Sequence, residues 1–250
     1  MDAKQDMEMV TMLNENINIL KHWIEESSHI VFFGGAGVST ESGIPDFRSA
    51  DGLYRLQFDD PPEVILSHSY FTLNTEMFYR FYRERMIYAE AKPNNTHKKL
   101  YDLESRDKLK AVITQNIDGL HQEAGSRKVL ELHGSIHRNY CIECNQFYPL
   151  EKIQNSVSIP RCECGGIIKP DVVLYEEELD QKVLSESIQM ITSADLLIVG
   201  GTSLSVYPAA GLLQYYKGCR MVLINKSVTP YDMEADLHIQ AGLGAVFSEI

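Results

Sequence analysis

Cys141, Cys144, Cys162 and Cys164 form a C-x2-C pair and a C-x1-C pair with seventeen residues between them. Four soft thiolates at such spacing suit a closed tetrahedral zinc site, in which no coordination position is left for chemistry and the metal's role is structural. The second pair is tight: only Glu163 separates its thiols, and Gly165-Gly166 follows to relieve the backbone. On spacing alone two other readings stay open, three cysteines with a labile fourth position and a reduced cluster that holds no metal. Cys219 stands apart, before MVLI, and reads as a buried small hydrophobe.

A second group follows an apolar run. AVITQNIDGLHQ places Gln115, Asn116 and Asp118 within four positions, with Ile117 among them. So many hydrogen-bonding atoms suit neither a core nor an ordinary turn, and they read as the grip on a polar ligand. His133 follows in ELHGSI, beside Gly134, which leaves room for substrate. A neutral imidazole with an ordinary pKa of about 6.5 can take a proton near neutrality, as a general base must. A packed or solvated histidine is the plainer alternative at such a position.

These groups need a frame. Apolar residues Leu13, Ile17, Leu20 and Ile24 recur at helical spacing and predict an amphipathic helix over roughly 9–26. HIVFF, LKAVIT, VLEL, DLLIVG and MVLIN read as buried strands, and AVF at 245–247 as a last short one. Helices are expected over 71–91, 96–103, 179–192 and 206–217, with poor apolar periodicity across the cysteine segment. Strands alternating with helices predict an α/β protein: a Rossmann-type parallel sheet with helices on both faces.

Ligands of such sheets bind outside the carboxyl ends of the strands. Gly35-Ala36-Gly37, Gln115 to Asp118, Gly201-Thr202-Ser203 and Asn225 each follow an apolar strand, so all four fall at one edge. Glycines let backbone amides approach a pyrophosphate, Thr202 and Ser203 can donate to phosphate oxygens, and Asn225 can bond a ribose, so the expected ligand is a dinucleotide. Thr40 stands where the third glycine of GxGxxG belongs, which counts against hydride transfer by a dehydrogenase. Phe47 and Arg48 place a ring and a fixed cation beside the phosphates, or else are a packed ring and a surface cation.

At 250 residues the chain has room for one large α/β domain carrying a smaller insertion. Its 44% hydrophobic and 23% charged residues exclude a disordered or fibrous class. A formal net charge of -12 speaks against a polyanion-binding surface and suits a basic partner, or solubility alone. No apolar stretch approaches a bilayer span, and MDAKQDMEMV lacks the charged and apolar regions of a signal peptide. A cytoplasmic location with reduced cysteines is therefore expected.

GAGVSTESGIPDFRS, TQNIDGLHQEAG, ELHGSI, the paired cysteines, GTSLSVYPAA and INKSVTP occur in that order. Together they resemble the sirtuin family of NAD-dependent protein lysine deacylases, in its general bacterial form, over nearly the whole chain. The resemblance implies a discontinuous NAD-binding domain at 1–46, 97–136 and 171–250. A cofactor loop and helical insertion at 47–96 and a zinc-ribbon-like module at 137–170 make up the small domain. NAD would be the co-substrate and zinc the structural metal held by the four cysteines.

By the same resemblance, Asn116 and Asp118 hold the nicotinamide carboxamide, Ile117 walls its pocket, Gln115 bonds the ribose and His133 is the general base. Gly35, Ala36, Gly37, Thr40, Phe47 and Arg48 contact NAD from the first loop, while Gly201, Thr202, Ser203, Asn225 and Gly244 hold its ADP half. Val172, Val173 and Leu174 pair with an acyl-lysine peptide as an added strand. The acyl group moves to ADP-ribose and nicotinamide is released. Acetylated proteins or peptides are the expected partners, with no nucleic acid and no membrane, and nothing in the sequence sets an oligomeric state.

The chain departs from the family pattern in places. Glu176-Glu177 follows VVLY where a glycine usually precedes the glutamate. The extra carboxylate favours basic residues beside the lysine, or is simply solvated. Tyr82 and Arg85 have the i, i+3 spacing used by family members that remove succinyl groups, but RFYRER is crowded with arginines and plain deacetylation is the expected activity. A dehydrogenase, a non-enzymatic NAD sensor and a mono-ADP-ribosyltransferase are the competing functions.

Overall fold

A computed structural model describes residues 3–46 and 60–250; Phe47 and Arg48 lie outside the described residues. Helix α1 (Ala3–Glu26) turns Ile17, Leu20 and Ile24 inward and leads to strand β1 (Ile30–Gly34), buried along its whole length. After the first glycine loop come α2 (Pro62–Ile65), α3 (His68–Leu73), α4 (Thr75–Arg85) and α5 (Asn95–Ser105). Next are β2 (Leu109–Thr114), α6 (Leu120–Glu123), β3 (Val129–Glu131) and β4 (Gly134–Cys141). They are followed by β5 (Phe147–Tyr148), α7 (Leu150–Gln154), β6 (Ile168–Val172), α8 (Gln181–Ser193) and β7 (Leu196–Gly200). The chain continues through β8 (Met221–Ile224) and β9 (Leu237–Ile239) to α9 (Leu243–Glu249).

Six strands form a parallel sheet in the order β3-β2-β1-β7-β8-β9. The chain works outward from β1 in one direction and from β7 in the other, so a topological switch point opens between them. Ile30 and Phe32 of β1 face α1, α5 and α9, while Val31 and Phe33 face α8 and the 3-10 turns at Ala209–Tyr215. That alternation covers both faces and explains why the central strands read as unbroken apolar runs.

β4, β5 and β6 form a separate antiparallel sheet in the order β5-β4-β6. Its core is aromatic: Phe71 meets Phe78 edge-on at 5.0 Å, and Phe78 stacks on Tyr82 at 5.6 Å. The Tyr79 hydroxyl donates to the Ile168 carbonyl, joining α4 to β6. β4 starts directly after His133, so the antiparallel sheet grows out of the edge of the parallel one.

Three expected elements and the burial of Cys219 differ; the helix expected over 206–217 is a 3-10 stretch at Ala209–Tyr215. The helix over 71–91 is broken at Asn74, whose φ of -131° is not helical, and it ends at Arg85. The break folds α3 back so that Phe71 reaches Phe78. AVF is not a strand: it lies in α9, where Phe247 meets Phe32 edge-on at 6.1 Å, and the sixth parallel strand is LHI. A three-residue apolar run carries no period, so tertiary contact decides it. Cys219 is exposed, because the turn before β8 lifts it off the sheet.

His97 of α5 and His121 of α6 are buried with ring centroids 4.7 Å apart. Burial pushes His97 down to about 4; burial and the neighbouring His97 push His121 down to about 3. Below about pH 6.5 the unfolded chain therefore takes up protons that the fold refuses, and stability falls with pH by up to about 1.4 kcal/mol per pH unit for each histidine. Urea midpoints should drop steadily between about pH 6 and pH 4.5. Replacing His121 by phenylalanine should make that slope shallower, and an unchanged slope would contradict the assignment. Among the described residues no helix is long and apolar enough to cross a membrane.

Candidate functional site

The ends of β1, β2, β7 and β8 open into one cleft of about 840 Å3, within the size range of small-molecule sites. Ala36, Gly37, Thr40, Gln115 to Asp118, His133, Gly201, Thr202, Ser203, Asn225 and Val172 to Leu174 all line it. Among the described residues two expected ligand contacts do not. Gly35 sits in the turn itself, where a Cβ would come within 2.8 Å of Thr202. Gly244 is buried, and its amide donates to the Glu41 carboxylate at 3.1 Å.

The two glycine loops interlock. Gly37 N–H donates to Gly201 O at 2.7 Å, and a Cβ on Gly37 would lie 2.7 Å from Gly201 Cα. Gly201, at φ +61°, presses equally closely on the backbone of Val38. These glycines thus serve loop-to-loop contact first, and their open side faces the cleft.

The strand ends are tied by their own polar groups. Gln115 Nε2 donates to Thr202 Oγ1 (3.1 Å) and Asn225 Nδ2 to Thr202 O (3.1 Å), joining β2, β7 and β8. Asn116 Nδ2 donates to Ser39 Oγ (3.0 Å), and Ser39 O–H donates to Asp118 Oδ2 (2.7 Å). Asp118 Oδ1 accepts the Leu120 amide. Burial raises the Asp118 pKa above the usual carboxylate range, while Leu120 and Ser39 pull it back. A carboxylate offers about four lone-pair sites, so Asp118 keeps capacity for a ligand N–H. No local sequence pattern marks Ser39, whose partners lie 77 and 79 residues away.

His133 Nδ1 lies 3.0 Å from Gln115 O. A carbonyl only accepts, so Nδ1 carries the proton and Nε2 keeps its lone pair. Burial lowers the His133 pKa and the bond to Gln115 raises it in part, so the ring is neutral at pH 7. Val173 N–H donates to His133 O at 3.0 Å, which brings the candidate peptide edge against the candidate base. Leu174 N–H is already held by the Glu177 carboxylate and Val172 O by Lys169 Nζ.

Gly134, at φ +77°, makes this junction possible, since a Cβ there would lie 1.9 Å from Asp171 O. Left-handed backbone and backbone overlap together should cost Gly134→Ala about 2–5 kcal/mol. The variant should melt lower and lose at least tenfold in peptide turnover (about 1.4 kcal/mol) because β4 and β6 part beside His133. A fully active, equally stable variant would contradict this.

Tyr82 is wholly buried, whereas Arg85 lines the cleft, so the i, i+3 pair does not act on one ligand. Glu176 is exposed to solvent, yet its carboxylate is engaged: Ser69 N–H donates to it at 2.9 Å, and the residue sits at φ +75°.

The four cysteine sulfurs lie within 4.8 Å of one another, three pairs at 3.5 Å. A tetrahedron with Zn–S bonds of about 2.3 Å has S···S edges of about 3.8 Å, so the set fits zinc. Asn145 (φ +58°) after one pair and Gly165 (φ +89°) after the other turn the backbone so that Asn145 N bonds Cys141 O and Gly165 N bonds Cys162 O, both at 2.9 Å. The one-residue pair is thus a shortened copy of the two-residue one. Tyr148 O–H donates to Cys162 Sγ and holds that thiol down to about 6, favouring the thiolate a metal needs. A Cβ on Gly166 would lie 2.7 Å from Cys141 Sγ.

A doubly wound parallel sheet, a cleft with clustered polar side chains at its switch point and a four-cysteine module define an α/β ligand-binding protein with a structural metal module. The sequence pattern of the Sir2 family matches residues 35–208, and the chain belongs to that family. It is 58% identical to an "NAD-dependent protein deacetylase" of Clostridium acetobutylicum, covering 96% of this chain and 99% of that one. A structure described as "Structural Basis for the Mechanism and Regulation of Sir2 Enzymes" is similar at 42% identity and TM-score 0.85, over 94% of this chain and 96% of its own. A Sir2 with a deacetylated p53 peptide and 3'-O-acetyl ADP ribose is similar at 38% identity and TM-score 0.86, over 93% and 96%.

Proposed function

We infer that the chain is an NAD-dependent protein lysine deacetylase, which transfers the acetyl group of acetyl-lysine to ADP-ribose and releases nicotinamide and O-acetyl-ADP-ribose. The observation that carries the reading is the meeting of three parts at the end of β2. The Asn116–Ser39–Asp118 chain, the lone pair of His133 Nε2 and the Val173 edge converge there. The deacetylase name of the Clostridium acetobutylicum relative and the acetylated ADP-ribose in a similar Sir2 structure support it.

In this reading Asp118 and Asn116 receive the nicotinamide carboxamide against Ile117, and Gln115 receives the adjoining ribose. Ala36, Gly37 and Thr40 line the phosphate side, and Thr202, Ser203 and Asn225 the ADP half. Phe47 and Arg48 belong to the same loop in sequence. The acetyl oxygen of the bound lysine displaces nicotinamide from the ribose, and His133 Nε2 then takes a proton from a ribose hydroxyl so that the hydroxyl oxygen can bond the acetyl carbon. The carbon–nitrogen bond breaks, the lysine amine leaves with a proton, and water supplies the remaining oxygen of O-acetyl-ADP-ribose. NAD is consumed, not reduced. Zinc, held by Cys141, Cys144, Cys162 and Cys164, cross-links the antiparallel sheet and supplies no chemistry.

The NAD-binding domain is taken as 1–46, 97–136 and 171–250, beside the insertion at 47–96 and the zinc module at 137–170. Val172 to Leu174 are taken as the edge for the acetylated peptide, whose main chain would take the places that the Glu177 carboxylate and Lys169 Nζ hold at Leu174 N–H and Val172 O, giving broad tolerance of its side chains. The cytoplasm is the proposed location. Incubation with NAD and an acetyl-lysine peptide tests the reading: the peptide should lose its acetyl mass with O-acetyl-ADP-ribose formed and no reduced nicotinamide absorbance. Reduced nicotinamide with an intact peptide would indicate a dehydrogenase instead.

A further inference from the structure

Asn94 immediately precedes α5, and its side chain serves two elements at once. Oδ1 accepts Thr96 N–H at 2.9 Å, capping α5. Nδ2 reaches the other way, donating to Val38 O at 2.8 Å and to Ser42 Oγ at 3.0 Å on the glycine loop after β1. Val38 and Ser42 flank Ser39, whose hydroxyl bridges Asn116 and Asp118.

The back of Asn94 is anchored too. Its backbone N–H donates to Nδ1 of His97, whose 0% exposed ring packs on His121 of α6. The first amide of α6, Leu120 N–H, is held by Asp118 Oδ1. The contacts close a circuit from Asn94 through the loop, Ser39, Asp118 and α6 to His121, His97 and back. Each end of the ligand grip is braced by the same asparagine.

We propose that Asn94 is a positioning residue for NAD, holding the loop so that Ser39 stays in register with Asn116 and Asp118 before NAD enters. The inference rests on the deacetylase reading for its choice of co-substrate. A carbonyl such as Val38 O can only accept, so the grip needs an N–H donor, while the helix cap needs an acceptor on the same side chain. Asparagine supplies both. Losing a preorganised loop weakens binding of the ligand it serves, not binding at a separate edge.

Asn94→Asp separates the two tasks, because aspartate still caps α5 but donates nothing to the loop. In the full-length zinc-bound protein, N94D should melt within a few degrees of the parent while KM for NAD rises about tenfold, given two hydrogen bonds of ordinary net worth. Inhibition by nicotinamide should weaken in parallel, and KM for the acetyl-lysine peptide should stay within about twofold, inside the ordinary spread of independent sites. Ser42→Ala, which removes one acceptor and leaves the cap untouched, should raise KM for NAD less and add nothing further in the N94D background.

A folded N94D with parental KM for NAD and parental nicotinamide inhibition would overturn the proposal. So would an equal rise in both KM values accompanied by a lower melting temperature, which marks a merely structural residue. If N94D does not fold, an S42A variant with unchanged KM for NAD overturns it. Calorimetric NAD binding to the same variants distinguishes the two failures. An inactive parent that binds NAD tenfold more tightly than N94D would sink the deacetylase reading alone.

Discussion

His133→Ala should lower kcat by about 10²–10⁴-fold, the usual contribution of a general base, with NAD affinity little changed. The split follows from the geometry: NAD's amide is assigned to Asn116 and Asp118, while His133 contributes a lone pair on Nε2 that exists because Nδ1–H is committed to Gln115 O. Asp118 is committed elsewhere: Ser39 and the Leu120 amide take two of its acceptor sites, and its remaining capacity is assigned to the ligand N–H. A protonated His133 could not serve as the proposed base, and burial places its pKa below the ordinary 6.5. Turnover of the parent should therefore fall as pH drops through a value below about 6.5. That acid limb should vanish from the residual rate of His133→Ala. A residual rate with the same limb would assign the base elsewhere.

Stripping zinc should abolish activity, and replenishing it should restore activity. Structural zinc in small modules is worth about 10–16 kcal/mol, comparable with the entire stability of an ordinary domain. Here the metal would tie the Cys141 end of β4 to the turn before β6, and β4 begins at the residue after His133. Loss of the β4–β6 ladder therefore reaches His133 and Val172 directly, through the Gly134–Val172 pairing. Dialysis against a chelator, with metal content and activity followed together, should show both fall in parallel, and Cys144→Ser should behave as the stripped protein. Full activity in metal-free protein would return the cysteines to a reduced, unliganded cluster.

The four strand ends were legible because buried parallel strands must read as apolar runs, so their polar C-terminal residues stand out by contrast. Cys141 to Cys164 were legible because thiol ligands recur at short spacing. Ser39 and Asn94 were not, since each works through partners 52 to 79 residues away and both look locally like turn or cap residues. β4 was hidden by its polar stretch Ser135 to Asn139, where the ladder shifts register. Glu176 occupies backbone that favours glycine, and only the fold reveals that Ser69 compensates.

The central claim is that nicotinamide release and deacetylation are one event at one cleft. Nicotinamide and peptide mass should be measured in the same tube, with and without an acetyl-lysine peptide. Release should require the peptide and match the acetyl groups lost one for one. Nicotinamide released without peptide, with ADP-ribose appearing on protein, would contradict it.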